Sequence, residues 1–219
     1  MSAPSTPANV FAIVPAAGRS RRMGRADKQL LEIDGVPMLM RVVEPLVASR
    51  VAGVAIVTRR AIVQRLEAHP LAGQRLATWA RERGEQVFFA YNEDAASEMI
   101  DSVRIGLREW RARRDASDED GWLVCPADQP GITTDDIDAC IAAFCESPDR
   151  IVLAARAGRR GHPMIFPCSL TGFVESSDCN EGLNLLSQVH ARRVRLVECL
   201  SPGVLRDIDT PADLDRHQP

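Results

Sequence analysis

The chain has 219 residues, 45% of them hydrophobic, which supplies one full α/β core and falls short of two ordinary domains. Its 27 Lys and Arg against 30 Asp and Glu leave a formal net charge of −3, which excludes general electrostatic attraction to nucleic acid. Six cysteines with no C-x-x-C pair exclude a zinc ribbon and a disulfide framework, and no stretch approaches the roughly 20 apolar residues of a membrane span. A cytoplasmic protein with reduced core thiols is expected, binding neither nucleic acid nor membrane.

Residues 1–9 are rich in Ser, Pro and Ala, with neither a basic start nor a long apolar stretch, so a disordered tail is expected before a single domain over residues 10–216. The apolar run 10–14 reads as a buried strand that opens into Ala16-Ala17-Gly18. These residues carry almost no side chain, so a nucleotide can lie against backbone N–H groups while Arg19, Arg21, Arg22 and Lys28 neutralise its phosphates. Neither the P-loop nor the G-x-G-x-x-G spacing is present. A merely solvated basic loop has no need of the Ala-Ala-Gly step.

The spacing of Met38, Leu39, Val42, Val43, Leu46 and Val47 predicts a helix from near Pro37 to about Ala48, with Pro45 a source of a kink. Strands are expected at 54–57, 87–90, 122–125, 151–154 and 194–199. A second helix begins at Thr133 or Thr134, capped by Asp136, and buries Ile137, Cys140, Ile141 and Phe144. The charge runs at 111–114 and 115–120 read as a frayed helix end and an acidic loop. The irregular stretch 158–167 reads as a hairpin or an arm over the open edge of the site. Alternating strands and helices predict an α/β fold: a single-domain, Rossmann-like three-layer sandwich with a mostly parallel sheet. Ligand then lies beyond the carboxyl ends of the strands, at the loops starting at Ala16, Asn92, Ala127 and Gly158.

Asp128 follows the strand at 122–125, where a carboxylate points into that crevice and one Asp per loop suffices for Mg²⁺. Taken alone, Asp128-Gln129-Pro130 is equally a turn. Asp207 and Asp209 alternate around Ile208, so on an extended strand end both carboxylates share one side and meet Asp128 across a metal, while Thr210-Pro211 reads as a helix start. Ser102 is either a hydroxyl for base or ribose or a helix N-cap. His162 either holds an acceptor or sits in a turn, and no second ligand at zinc spacing accompanies it.

The stretch from Ala16 to Gly24 followed by Lys28, one residue later than the shortest spacing, resembles the signature A-[AG]-G-x-S-x-R-M-G-x-x-K of the nucleotidyltransferases related to molybdenum cofactor biosynthesis. Similar segments follow in that family's order. Asn92 and the stretch 101–107 resemble the region that meets the base, although Glu98 stands before Met99 where the family often has Gly. Ala127-Asp128-Gln129-Pro130 resembles [AG]-D-x-P, the stretch 161–166 resembles G-x-P-x-L-F, and the stretch 207–214 resembles the D-I-D-T-P-x-D-L ending of the cytidylyltransferase branch. One departure is larger. The family's G-D-x-G-A-R-x-L-L stands here as 179–186, with Asn180 and Asn184 replacing its Asp and Arg.

The resemblance implies a nucleotide-diphospho-sugar transferase-like fold and a Mg²⁺-dependent transfer of CMP from CTP to a phosphorylated acceptor, molybdopterin or the molybdenum cofactor, with release of pyrophosphate. It implies Lys28, Arg22 and Asp128 as catalytic and Asp128 and Asp209 as metal ligands. Ala16, Ala17, Gly18, Ser20, Arg22, Lys28, Asn92 and Ser102 would bind the nucleotide, and Gln129 and His162 the acceptor. A molybdoenzyme or its maturation chaperone would be the partner. Two alternatives stand beside it. The segments at 14–18, 28–29 and 101–103 also resemble methylerythritol phosphate cytidylyltransferase, whose class acts on a small phosphorylated acceptor, and a nucleotide- or cofactor-binding chaperone without turnover would carry the same pocket.

Overall fold

The computed structural model describes residues 8–18 and 27–215. The sheet is built outward from β1 (Val10–Pro15), which is buried along its whole length. A two-stranded hairpin, β2 (Glu32–Ile33) and β3 (Val36–Pro37), stands apart from the sheet. It turns through Asp34 and Gly35 at φ of 50° and 73°, the left-handed conformation that an Asp-Gly pair supplies. Strands β4 (Gly53–Thr58) and β5 (Val87–Tyr91) add in parallel on one side of β1, and β6 (Gly121–Val124) adds in parallel on the other. Next come β8 (Arg159–Pro167), β7 (Ile151–Arg156) and β9 (Val194–Glu198), giving the order β5-β4-β1-β6-β8-β7-β9. Only β8 runs antiparallel to its neighbours among the pairings of this sheet.

Strand alternation divides the core into two layers. Val10, Ala12 and Val14 of β1 face one layer, formed with α1 (Met38–Ala48), α2 (Arg60–Ala68), α3 (Pro70–Arg83) and α5 (Thr134–Glu146). Phe11 and Ile13 face the other, formed with α4 (Met99–Arg113), α6 (Thr171–Glu175) and α7 (Asn184–Val189). The expected three-layer α/β domain is thus present, and α1 and α5 lie where their spacing put them. Thr133 and Asp136 cap α5 reciprocally: the Asp136 backbone N–H donates to Thr133 Oγ1 at 3.3 Å and the Thr133 N–H to Asp136 Oδ2 at 3.1 Å.

Four local expectations are corrected. Of the two readings of 158–167 the hairpin is present and the arm is not: β7 turns back through Ala157 and Gly158 into β8, which pairs with both β6 and β7 inside the sheet. Its glycines and Pro163 mask a strand in sequence, and the β7/β8 register shifts between Leu153 and Ala155, the kind of irregularity where Pro is tolerated. Asp120 is no solvated end of an acidic loop. It is buried and accepts the backbone N–H groups of Asn9 at 2.7 Å and Ser117 at 2.8 Å. Asn9, assigned to the tail by composition, is therefore tied to the domain. Cys145 is exposed and so lies outside the core, whereas Cys125, Cys140, Cys179 and Cys199 are buried; all six thiols are free.

The chain proceeds from β1 outward to β5 and then returns across β1 to β6. The crossovers diverge at the carboxyl ends of β1 and β6, which is where such sheets open a crevice.

Candidate active site

A cleft of about 590 Å³ opens at that divergence, walled by the Pro15–Gly18 segment, by Lys28 and Gln29, by Ser97 to Met99 with Ser102, and by Asp128 and Asp209. The Ala16 N–H continues the ladder to the Val57 carbonyl at 2.7 Å. Gln29, buried and not singled out by sequence, then staples the loop: its Nε2 donates to the carbonyls of Ala16 and Gly18, both at 2.8 Å. Thr58 Oγ1 donates to the same Ala16 carbonyl at 3.0 Å. Ala16 and Ala17 are buried, and a Cβ at Gly18 would meet no atom of the described residues within 4 Å, so the loop presents a smooth wall to the cleft.

Lys28 opens a short 3-10 turn, Lys28–Leu30, and its Nζ stands 2.8 Å from Asp209 Oδ1 and 3.3 Å from Asp128 Oδ2. Two chain segments hold those carboxylates together. Ile208 is fully buried with Ile33 and Met38, beneath the β2–β3 hairpin, and its N–H donates to the Asp128 carbonyl at 2.8 Å. Thr210 and Asp213 cap the short helix α8 (Pro211–Asp215) reciprocally, the Thr210 N–H donating to Asp213 Oδ2 at 2.9 Å, as the Thr-Pro pair implied.

Asp207 parts company with Asp209. Residues 207–209 are not a strand end, and the expectation that both carboxylates share one side is corrected: Asp209 faces the first cleft while Asp207 lines a second cavity of about 260 Å³. The adjacent pair divides the same way, with Asp128 in the first cleft and Gln129 in the second. Arg160, His162, Asn184 and Ser187 complete the polar lining of that second cavity. Gln129 Oε1 and His162 Nδ1 are buried there without a hydrogen-bond partner among the described residues. Burial holds the His162 imidazole below its ordinary value of 6.5, against smaller upward effects from Asp128, a hydrogen bond to the Val124 backbone and Asp207.

Asn92 and Ser102 come together, with Asn92 Nδ2 donating to Ser102 Oγ at 3.0 Å and to Ser97 Oγ at 3.1 Å. Ser102 lines the cleft, and Asn92 braces the loop behind it. The helix cap is not Ser102 but Glu98, which forms a capping box with Asp101; the Glu98 N–H donates to Asp101 Oδ2 at 2.9 Å. The Glu that departs from the family pattern therefore starts α4. Asn180, the other substituted position, accepts Arg104 Nη2 at 2.8 Å, and Asn184 lines the second cavity. Arg22 and Ser20, with Arg19 and Arg21, lie outside the described residues.

Among the described residues no three His, Cys, Asp or Glu side chains converge as a metal-ligand cluster. Two hard carboxylates lining a cleft of about 590 Å³ fit an ion that completes its shell with water and phosphate oxygens, as Mg²⁺ and Mn²⁺ do, and do not suit a zinc site. Cys125 behind Asp128 is no nucleophile: burial, and next the Asp128 carboxylate, push its thiol up to about 12. No described helix is long and apolar enough to cross a membrane.

Comparison with known proteins finds relatives along most of the chain. The chain is 26% identical over 215 residues to the nicotine blue oxidoreductase of Paenarthrobacter nicotinovorans, covering 94% of this chain and 95% of that protein. It is 32% identical over 127 residues to a probable molybdenum cofactor guanylyltransferase of Methanosarcina acetivorans, covering 58% of this chain and 49% of that one. The crystal structure of Rv0371C from Mycobacterium tuberculosis in complex with manganese superposes with a TM-score of 0.66 at 18% identity, covering 97% and 98% of the two chains. The family model described as the MobA-like NTP transferase domain matches residues 12–195. Fold, cleft and family match agree, and the chain belongs to the MobA-like NTP transferase domain family of nucleotidyltransferases.

Proposed function

We propose that the single domain over residues 10–216 is a cytoplasmic, Mg²⁺-dependent cytidylyltransferase that moves CMP from CTP to a phosphorylated acceptor, molybdopterin or the molybdenum cofactor, releasing pyrophosphate. One observation carries the reading: Lys28, Asp128 and Asp209 converge at one end of a cleft whose wall is the Ala16–Gly18 loop. Six thiols without a disulfide fit a reducing compartment.

Asp128 and Asp209 would hold the divalent ion, which when bound withdraws charge from the phosphate oxygens and eases departure of pyrophosphate. The chain's own residues position the reactants. The Gln29-stapled loop receives base and ribose, Ser102 offers a hydroxyl to the same ligand, and Lys28 with Arg22 neutralises the triphosphate. The second cavity would receive the acceptor, with Gln129 and His162 beside it and with Asp207 and Asn184 across it. An acceptor phosphate is already ionised at pH 7, so no general base is required of the protein.

Ala17 supports the choice of base. The Ala17 methyl, in the wall of the cleft, would crowd a purine while sparing a pyrimidine. The discrimination is modest, because one methyl group in a pocket is worth about 1–3 kcal/mol. The molybdenum cofactor guanylyltransferase relative favours GTP as the second reading. Competition kinetics with both nucleotides and molybdopterin, following each product by mass, separate the two. CTP is expected to have the higher kcat/KM, and a preference for GTP overturns the cytidylyl assignment.

A further inference from the structure

The point between Asp128 and Asp209 demands positive charge even before a nucleotide arrives, because two converging carboxylates repel each other unless a cation lies between them. Lys28 already meets that demand. Its Nζ is within hydrogen-bond distance of Asp209 Oδ1, at 2.8 Å, and within ion-pair distance of Asp128 Oδ2, at 3.3 Å. The side chain keeps 10% of its accessible surface, whereas the two carboxylates keep 35% and 37%. The ammonium is thus the most buried member of the three, and both carboxylates line the cleft.

The backbone on either side of Lys28 is anchored. Gln29 is stapled to Ala16 and Gly18, and Asp27 is paired with Arg59 at 2.5 Å and with Arg65 at 3.2 Å. Movement of the ammonium therefore falls to its four-carbon stem, which is flexible enough to re-aim a compact point charge without shifting the turn.

We propose that Lys28 is a stand-in for the divalent cation: its ammonium occupies the Asp128–Asp209 pair in the nucleotide-free protein, passes to the phosphates when the nucleotide enters, and so makes metal binding conditional on nucleotide. The identity of the arriving ligand rests on the nucleotidyltransferase reading; the competition between ammonium and metal does not. A free divalent ion would have to displace a charge that is already paired and leave that ammonium, largely buried, without a partner, which is costly. A metal that enters with a triphosphate supplies new anionic partners for the displaced ammonium in the same event. Metal loading and nucleotide loading are then coupled through one side chain.

The test is Mn²⁺ binding to the full chain, read by electron paramagnetic resonance of the free ion and by the Mn²⁺-induced shift in Tm. Wild-type protein should bind Mn²⁺ alone weakly, and about tenfold or more tighter in the presence of α,β-methylene CTP. Lys28→Met should bind Mn²⁺ alone about tenfold tighter than wild type, a gain that Asp209→Asn in the same chain abolishes. Lys28→Gln, which keeps a hydrogen-bond donor in place, should show the same direction if the Met variant folds poorly. Arg160→Met, which removes a cation from the neighbouring cavity, should gain little, because the effect belongs to the shared carboxylates and not to the general field. The inference is overturned if Mn²⁺ binds the Lys28 variants no more tightly than wild type, or if wild type binds it equally well with and without the nucleotide analogue where that analogue binds. Failure of wild type to bind either CTP or GTP analogues would instead remove the nucleotidyltransferase reading, and the Lys28 comparison with metal alone would still decide the competition.

Discussion

Asp128, just after β6, and Asp209, just before α8, reach Lys28 from two segments joined by the Ile208 N–H to Asp128 carbonyl hydrogen bond. Asp128→Asn keeps the shape of the segment and removes the charge. In the proposed reaction this should lower turnover by about two to three powers of ten, the loss expected when a major electrostatic contributor is removed. Pyrophosphate release measured beside far-UV circular dichroism checks both halves, and near-normal turnover in a folded variant would discard the metal assignment. The carboxylates and the lysine were legible as residues, because the motifs name their types and order. Gln29 entered only as part of the resembling segment 28–29, and its role as a staple was not legible until the turn brought its amide against two carbonyls.

The elements around the site are set by close packing. Helix α4 lies on β1 through Gly106, where an added Cβ would stand 2.5 Å from Ile13 Cγ2. Helix propensity alone favours Ala over Gly by about 1 kcal/mol. Overpacking a filled core against a stiff, β-branched side chain costs about 1–3 kcal/mol, so the packing effect should win. Gly106→Ala is expected to lower the urea midpoint with an unchanged m-value, and a higher midpoint would show that Ile13 yields freely. Strands β1, β4, β5, β6, β7 and β9 and helices α1 and α5 were readable from apolar runs and spacing. Strand β8 was not, because its Gly and Pro content signals a loop and only two flanking strands make it part of the sheet. The β2–β3 hairpin carried a visible Asp34-Gly35 signal that the pattern of longer elements overshadowed.

At the scale of the whole molecule, the half-buried His162 links the second cavity to stability. Its folded-state value lies below the ordinary 6.5, chiefly through burial, so below about pH 6.5 the unfolded chain takes up a proton that the native state resists. Stability should therefore be unaffected by this group above that pH, fall as the pH drops below it, and cease to fall once the folded-state value is passed. Urea unfolding across that range on wild type and His162→Gln checks the sign: the variant should lose less stability on acidification. An equal loss in both would mean that His162 titrates normally in the folded protein.

From the sequence alone came the kind of fold and the chemistry of the cleft, because apolar periodicity reports which faces are buried and the Ala16–Lys28 and Asp128 motifs report residue types at fixed spacing along the chain. Only the tertiary structure decided how neighbours in sequence are shared out in space. Asp128 and Asp209 face one cavity while Gln129 and Asp207 face the other, Glu98 caps α4 in place of Ser102, and Lys28 sits between the carboxylates. The physical reason is that side-chain direction at a loop depends on long-range anchors. Ile208 buried beneath the hairpin and bonded to the Asp128 carbonyl is one such anchor, and no local pattern encodes it.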